Sequence, residues 1–287
     1  MKPTDSSYEF DVEVPPHAPD LYDFSSIADS IEGFEAVDEA QITRYHDQGF
    51  LVINHAFTLA EVQAATQGLT DLVAGKNPVF KTIQFRGEVR DVLDKLTLAE
   101  KMENIRKLGT FTEYEPRLKA MAQSPQLIAV IRKLLGAEPE LFQSMALIKP
   151  PGGREKPWHQ DHAYFDLPFA TKIVGVWVAL QEANTENGCL RVMPGWHRRG
   201  PFTHFQLRDW QICDDQMDGL QPQRVAVPLE PGGCLFFDSF LPHGTPTNNT
   251  RQGREAVQFH YMPAGTQKVK PEDRLAVFGS EGKDVSC

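Results

Sequence analysis

The sequence has few cysteines, and their spacing lacks the pairs that bind metals or exchange disulfides. No CxxC pair occurs among the four cysteines, which are Cys189, Cys213, Cys234 and Cys287. A zinc ribbon or a dithiol redox site is therefore disfavoured. The chain also lacks the patterns HExxH, GxSxG and GxxxxGK[ST]. Zinc hydrolysis, serine hydrolysis and P-loop chemistry consequently have no visible residues to perform them.

Long apolar runs and an excess of positive charge are also missing. No apolar run approaches the roughly 20 residues that span a bilayer, and the N-terminus has no apolar segment typical of a secretory signal. The 29 Lys and Arg residues are outnumbered by 39 Asp and Glu residues, which gives a net charge of -10. We therefore expect no membrane and no nucleic-acid partner. The last residues, Asp284–Cys287, contain no Ser-Lys-Leu signal, and we expect a cytoplasmic location.

The N-terminal half of the chain shows helical patterns after an irregular start. Residues 1–36 are rich in Pro, Asp and Ser and are predicted to be an irregular extension that wraps the domain or is partly disordered. Asp38 is a suitable N-cap for a helix that Gly49 can end. Further helices are predicted over 59–74, 98–106 and 125–135 from their apolar spacing.

After Gly136 the helical period gives way to short apolar or alternating runs separated by Gly and Pro. Such runs are typical of β-strands. They occupy residues 141–149, 173–180, 189–193, 223–227, 234–237 and 256–261. We therefore predict one mainly β domain with flanking helices over 37–287, with a sandwich or jelly-roll core at about 137–265.

The stretch Trp158–His162 contains the first candidate metal ligands, His159 and Asp161. If this segment is extended, both side chains leave the same face of a strand. His243, within Pro242-His243-Gly244, is the best candidate for a third ligand. Two histidines and one carboxylate on one face form the triad of non-haem Fe(II) oxygenases. A loop histidine that caps a turn is the competing interpretation of His243.

Arg254 adds a second indication of the same chemistry. An oxygenase of this type uses a dicarboxylic 2-keto acid, and its far carboxylate needs an anchor. Arginine suits that role because its guanidinium holds a carboxylate through two parallel hydrogen bonds. An exposed arginine in a charged turn is the competing interpretation, with Arg251 as the neighbouring alternative. Arg254 is preferred because it leads into the strand predicted at 256–261.

Several blocks follow one another within roughly residues 105–262: Gln143-Ser144-Met145, Lys149–Gly153, Trp158–Asp161, Gly175-Val176-Trp177, Glu186–Leu190, Pro194–His197, His243-Gly244-Thr245, Asn248 and Arg254. In this order they resemble the phytanoyl-CoA dioxygenase family of Fe(II)/2-oxoglutarate-dependent oxygenases. The resemblance implies a double-stranded β-helix of the cupin-like jelly-roll type. It also implies iron held by His159, Asp161 and His243.

The resemblance further implies a pocket for the cosubstrate, 2-oxoglutarate. Arg254 is implied as the anchor, with Thr245 beside it and with Lys107, Met145 and Trp177 lining the pocket. Core packing is the competing interpretation for Met145 and Trp177, and a surface lysine at a helix end is the competing interpretation for Lys107.

Hydroxylation of an unactivated C–H bond of a small molecule is the implied reaction, with release of succinate and CO2. The cofactors are Fe(II), 2-oxoglutarate and O2, with ascorbate as an additive in vitro. Asp161 favours hydroxylation over halogenation, since halogenating relatives carry a small residue at that position. We expect a monomer or a small homo-oligomer. The alternatives are a non-catalytic jelly-roll protein that binds a ligand, and a cupin-like metal hydrolase or isomerase with the same triad.

Overall fold

Two β-sheets organise the chain in a computed structural model, which describes residues 8–279. The strands are β1 Glu9–Phe10, β2 Ser26–Ile27, β3 Ile31–Glu32, β4 Phe50–Asn54, β5 Ile83–Phe85, β6 Ile105–Gly109, β7 Pro139–Lys149, β8 Lys156–His159, β9 Val174–Ala179, β10 Leu190–Val192, β11 His204–Gln206, β12 Trp210–Ile212, β13 Val225–Val227, β14 Cys234–Asp238, β15 His243–Thr245 and β16 Arg254–Pro263. The helices are α1 Glu39–Gln48, α2 Leu59–Val73, α3 Leu98–Glu103, α4 Pro116–Ala122, α5 Pro125–Leu135, α6 Asp214–Met217 and α7 Pro271–Phe278. The outer ends of the predicted extension and domain, residues 1–7 and 280–287, lie outside the described residues.

The larger sheet has nine strands in the order β1-β5-β6-β7-β16-β9-β14-β4-β3. The smaller sheet has five, in the order β2-β13-β10-β15-β8, and β11 pairs with β12 in a separate hairpin. Neighbouring strands within each sheet are often far apart in the chain, as when β16 lies between β7 and β9. The predicted mainly β fold with flanking helices is confirmed.

The two faces of the larger sheet bury different layers of side chains. On β16, Val257, Phe259 and Tyr261 pack in the core that includes α1, α2, α4 and α5. Ala256, on the opposite face, packs with residues of the smaller sheet. Because side chains alternate along a strand, Arg254, Gln258 and His260 share the face of Ala256. The space between the two sheets is therefore where polar residues of β16 converge.

Local sequence signals fix the helix ends that precede β4. The Asp38 carboxylate accepts a hydrogen bond from the Gln41 backbone N–H at 3.0 Å and caps α1. Gly49 ends the helix with φ 83°, a left-handed conformation that glycine adopts without a steric penalty. Within the described residues, every helix is too short or too polar to cross a membrane.

The N-terminal segment, predicted to be irregular, contributes three two-residue strands. β1 and β3 pair at the two edges of the larger sheet, and β2 pairs at one edge of the smaller sheet. Leu21 and Tyr22 are buried, and the Trp158 indole donates to the Leu21 carbonyl at 3.1 Å. Sheet edges offer unpaired backbone groups, which a polar segment with little periodicity can satisfy.

The helix predicted over 98–106 is wrong in its last three residues. Thr97 forms a capping box with Glu100 and starts α3, but the helix ends at Glu103 and β6 begins at Ile105. Lys107 therefore lies on a strand, paired with Leu147 of β7. Pairing with the exposed edge of β7 outweighs helical propensity here, since local propensity is a weak constraint.

Gly175 permits a close approach between β9 and the Phe237 ring. A Cβ atom at this position would lie 2.4 Å from the ring, which is buried. We expect Gly175→Ala to lower the free energy of unfolding by about 1–3 kcal/mol through overpacking. Urea denaturation measures this change. Gly253→Ala is the control, because its Cβ would meet its nearest atom at 3.6 Å. Equal unfolding midpoints for the two variants would contradict the expectation.

Candidate metal centre

His159 and His243 lie directly opposite each other in the smaller sheet. His159 ends β8, His243 begins β15, and the two are register partners in an antiparallel pair. Side chains of directly opposed residues leave the same face of a sheet. The imidazole rings lie 4.2 Å apart between centroids, and both residues are buried.

Asp161 reaches the same point from just beyond the strand. The extended conformation that the sequence suggested continues through Gln160, but Asp161 begins a short 3-10 helix that ends at Tyr164. The turn directs Asp161 Oδ1 to 3.2 Å from His159 Nε2 and 3.6 Å from His243 Nε2. The three ligand atoms all lie within 4.8 Å of one another.

Backbone carbonyls orient both imidazoles toward this centre. His159 Nδ1 is 2.7 Å from the Pro157 carbonyl, and His243 Nδ1 is 3.0 Å from the Leu241 carbonyl. A carbonyl only accepts, so each Nδ1 carries the proton and each Nε2 presents a lone pair. This arrangement is typical of metal-binding histidines.

The protonation states at the centre suit a divalent cation. Burial, together with neighbouring His159, lowers the pKa of His243 to about 3, which leaves the imidazole neutral. Burial alone would raise the pKa of Asp161, but His243, His260 and His159 hold it well below its usual value. A neutral His243 imidazole and an ionised Asp161 carboxylate then converge on one point, which His159 Nε2 also faces. Because metal ligands must be deprotonated, these residues fit a metal ion.

The three ligands border a cavity of about 190 Å³ that also contains the other predicted site residues. Its lining includes every one of them: Lys107, Met145, His159, Asp161, Trp177, His243, Thr245 and Arg254. Tyr164 and Phe165, two aromatic residues that follow Asp161 in the chain, line it as well. His162 does not, because its ring stacks on Phe240 at 4.3 Å between centroids.

Arg254 is a buried cation without an anion beside it. It is 3% exposed, and its Nε and Nη1 atoms lack hydrogen-bond partners among the described residues. Burial lowers the pKa of Arg254 to about 10, so the guanidinium remains charged at neutral pH. Its guanidinium carbon lies 5.2 Å from the Trp177 ring centroid. A buried unpaired charge is costly, so this group fits an anionic ligand. Arg251 is exposed instead.

Thr245 and Lys149 form a polar pair in the same cavity. Lys149 Nζ donates to Thr245 Oγ1 at 2.7 Å and to the Pro246 carbonyl. Burial and nearby Arg254 lower the pKa of Lys149 well below its usual value. The sequence reasoning assigned no role to Lys149. Its position two and four residues after Leu147 and Met145 placed it on the same strand face, which is the signal that could have identified it.

The Lys107 side chain lines the cavity from β6 and forms no hydrogen bond or ion pair within the described part of the chain. Burial and the charge of Lys156 lower its pKa. By contrast, Lys156 pairs with Asp209 at 2.7 Å, and Arg106 pairs with Asp11 at 3.1 Å. Lys107 and Arg254 are therefore two lining cations that have no ion pair among the described residues and can meet a ligand with two acidic groups.

Comparison with known proteins shows a match to one protein family and to its members. A sequence profile described as phytanoyl-CoA dioxygenase (PhyH) matches residues 45–256. Phytanoyl-CoA dioxygenase domain-containing protein 1 from Danio rerio is 25% identical over 279 residues, covering 84% of this chain and 95% of that protein.

Two solved structures resemble the chain over most of its length. EvdO2 from Micromonospora carbonacea var. aurantiaca, crystallised with 2-oxoglutarate, superimposes with a TM-score of 0.64 and 25% identity, covering 85% of this chain and 98% of that one. The non-haem alpha-ketoglutarate-dependent carbocyclase SnoK from nogalamycin biosynthesis gives a TM-score of 0.66 at 19% identity, covering 87% and 96%.

The profile match includes His159, Asp161, His243 and Arg254, which the fold brings to one cavity. The expected cupin-like jelly roll is confirmed by the similarity to these structures. The chain belongs to the phytanoyl-CoA dioxygenase family of iron- and 2-oxoglutarate-dependent oxygenases.

Proposed function

We propose that the protein hydroxylates an unactivated C–H bond of a small molecule while it converts 2-oxoglutarate to succinate and CO2. The observation that carries this proposal is the pairing of two features in one cavity. Three ligand atoms within 4.8 Å of one another fit a divalent metal, and a buried guanidinium without an anion fits a carboxylate. Iron binding to two histidines and one carboxylate leaves coordination positions for cosubstrate and oxygen.

His159 Nε2, His243 Nε2 and Asp161 Oδ1 are the atoms that would hold iron. When bound, iron supplies the activation of oxygen, which no side chain can perform. The backbone carbonyls of Pro157 and Leu241 keep each imidazole in the tautomer that ligation requires. The protein thus fixes the position of the ligand atoms and the tautomer of the two imidazoles.

Arg254 would hold the far carboxylate of 2-oxoglutarate. The guanidinium is charged and buried, and Thr245 Oγ1 lies in the same cavity, fixed by Lys149. Met145 and Trp177 supply apolar walls, and Lys107 provides the second available cation. A ligand with two carboxylates and a short carbon chain matches this set of charges and walls.

The remaining wall beside the metal ligands is aromatic. The Tyr164 ring lies 5.7 Å from the His159 ring between centroids, and Phe165 also lines the cavity. Tyr164 is the last residue of the turn that begins at Asp161, and Phe165 follows it directly. We infer that they contact the small-molecule substrate at the reacting carbon. The expected oligomeric state, a monomer or a small homo-oligomer, and the expected cytoplasmic location stay predictions.

Two other functions use the same fold. A non-catalytic jelly-roll protein that binds a ligand has no need for both a metal triad and a buried arginine. A hydrolase or isomerase could use the triad with zinc, but it has no need for a dicarboxylate anchor. The unpartnered Arg254 therefore favours the oxygenase.

Succinate formation tests the reaction class directly. The protein with Fe(II), 2-oxoglutarate, ascorbate and a panel of small molecules should form succinate under oxygen, and the true substrate should gain one oxygen atom by mass spectrometry. His243→Ala should abolish succinate formation while the unfolding temperature of the metal-free protein stays close to that of the wild type. Succinate formation by a folded, metal-verified His243→Ala protein would contradict the assignment of the ligand.

Arg254→Ala should weaken 2-oxoglutarate binding at least about 30-fold. Removing one partner of a buried charge pair costs about 2–5 kcal/mol, and each 1.4 kcal/mol corresponds to about tenfold. The measurement is the 2-oxoglutarate dissociation constant of the Fe(II)-loaded protein. Arg251→Ala is the matched control, because the same side chain is removed from an exposed position. A loss of affinity in the control alone would place the anchor at Arg251.

A further inference from the structure

The Asp161 carboxylate is held from the side opposite the histidine ligands. His260 Nε2 lies 2.7 Å from Asp161 Oδ2, and Gln258 Nε2 lies 3.0 Å from the same oxygen. Neither residue was singled out from the sequence as a site residue. Asp161 Oδ1, the other oxygen, faces His159 and His243. The two oxygens of one carboxylate therefore have separate partners.

Both contacts have a defined direction. An ionised carboxylate only accepts, so His260 and Gln258 both donate to Oδ2. The two donor nitrogens lie 3.2 Å apart because they converge on one oxygen. Gln258 is 4% exposed and His260 is fully buried, so water does not compete for these contacts. Two donors fix the rotation of the carboxylate about its Cβ–Cγ bond.

The donors lie on a central strand of the larger sheet, β16. β16 is hydrogen-bonded to β7 on one side and to β9 on the other. Arg254, Gln258 and His260 lie at even spacing on its inner face. One strand therefore carries both the proposed cosubstrate anchor and the support for the carboxylate ligand.

Aromatic packing leaves the His260 ring little freedom to move. Its centroid lies 4.9 Å from that of Phe165, 6.0 Å from that of Phe142 and 6.1 Å from that of Phe237. Its Nδ1 atom has no hydrogen-bond partner among the described residues. The polar contacts of this ring are therefore confined to its Nε2 edge, where Asp161 lies. The His260 ring lies among apolar side chains, and its one polar contact edge donates to Asp161 Oδ2. This arrangement indicates that His260 positions the Asp161 carboxylate.

We infer that His260 and Gln258 are positioning residues that hold Asp161 so that Oδ1 alone is presented to the metal, and that they thereby set the iron affinity of the site. This inference rests on the proposed function. Partners that bind the ligands of a metal, rather than the metal itself, typically change its affinity by 10–100-fold when they are removed.

The test is an anaerobic Fe(II) titration of the full-length protein and matched variants. His260→Phe keeps the ring and removes the donor, and Gln258→Met keeps the approximate length of the side chain and removes its donor. We expect each to weaken Fe(II) binding by about 10–100-fold. His260→Gln places an amide donor near the position of Nε2 and should restore most of the affinity. The dissociation constant of 2-oxoglutarate, measured at saturating Fe(II), should stay near the wild-type value because Arg254 is retained.

His162→Phe is the control for loss of a buried imidazole. His162 is 1% exposed, adjoins Asp161 in sequence, and hydrogen-bonds Ser239 rather than the carboxylate. We expect its Fe(II) affinity to stay within about threefold of the wild type, well below the 10–100-fold loss expected when a partner of a metal ligand is removed. If His162→Phe loses as much Fe(II) affinity as His260→Phe, the inference is overturned, because the loss would then come from changed ring packing.

The outcomes separate the inference from the function on which it rests. A wild-type protein that does not bind Fe(II) would overturn the proposed function. A wild-type protein that binds Fe(II), together with a folded His260→Phe variant of equal affinity, would overturn only the positioning role. If His260→Phe does not fold, Gln258→Met decides by the same measurement, and equal affinity there overturns the role.

Discussion

The pairing of β8 with β15 is the constraint on which the rest of the site depends. It places His159 directly opposite His243 and fixes the distance between their rings before any ligand binds. Asp161 completes the set only because the chain turns immediately after β8. Preformed geometry of this kind lets a metal ion bind without ordering the chain, which reduces the entropic cost of binding.

The fold tolerates polar groups in its interior because apolar and polar side chains occupy opposite faces of the larger sheet. One face of the larger sheet packs in an apolar core with the helices, and this core contains more buried apolar residues than any other cluster among the described residues. The opposite face carries Arg254 and Lys149 and lies toward the smaller sheet, which carries His159 and His243. A guanidinium without an anion costs free energy there, and such strain is found where a ligand is meant to bind.

Local features and residue types could be read from the sequence. Asp38 and Gly49 bound α1, the run at 59–74 forms α2, and Gly136 ends α5, because caps and apolar periods act over a few neighbouring residues. The change from helical patterns to short strands near residue 136 also agrees with the structure. The ligand types and the arginine were identifiable because metal and carboxylate chemistry admits few side chains.

These local elements and the chemistry of the predicted site follow from the amino-acid sequence alone. All residues of that site line one cavity. Which residues become neighbours across the sheets depends on the tertiary structure. Lys107 is on a strand because the edge of β7 was available, and the N-terminal segment pairs with both sheets for the same reason. The contacts of Lys149 with Thr245 and of His260 with Asp161 join residues about 100 positions apart. Such contacts depend on sheet register, which long-range strand pairing sets and no local pattern encodes.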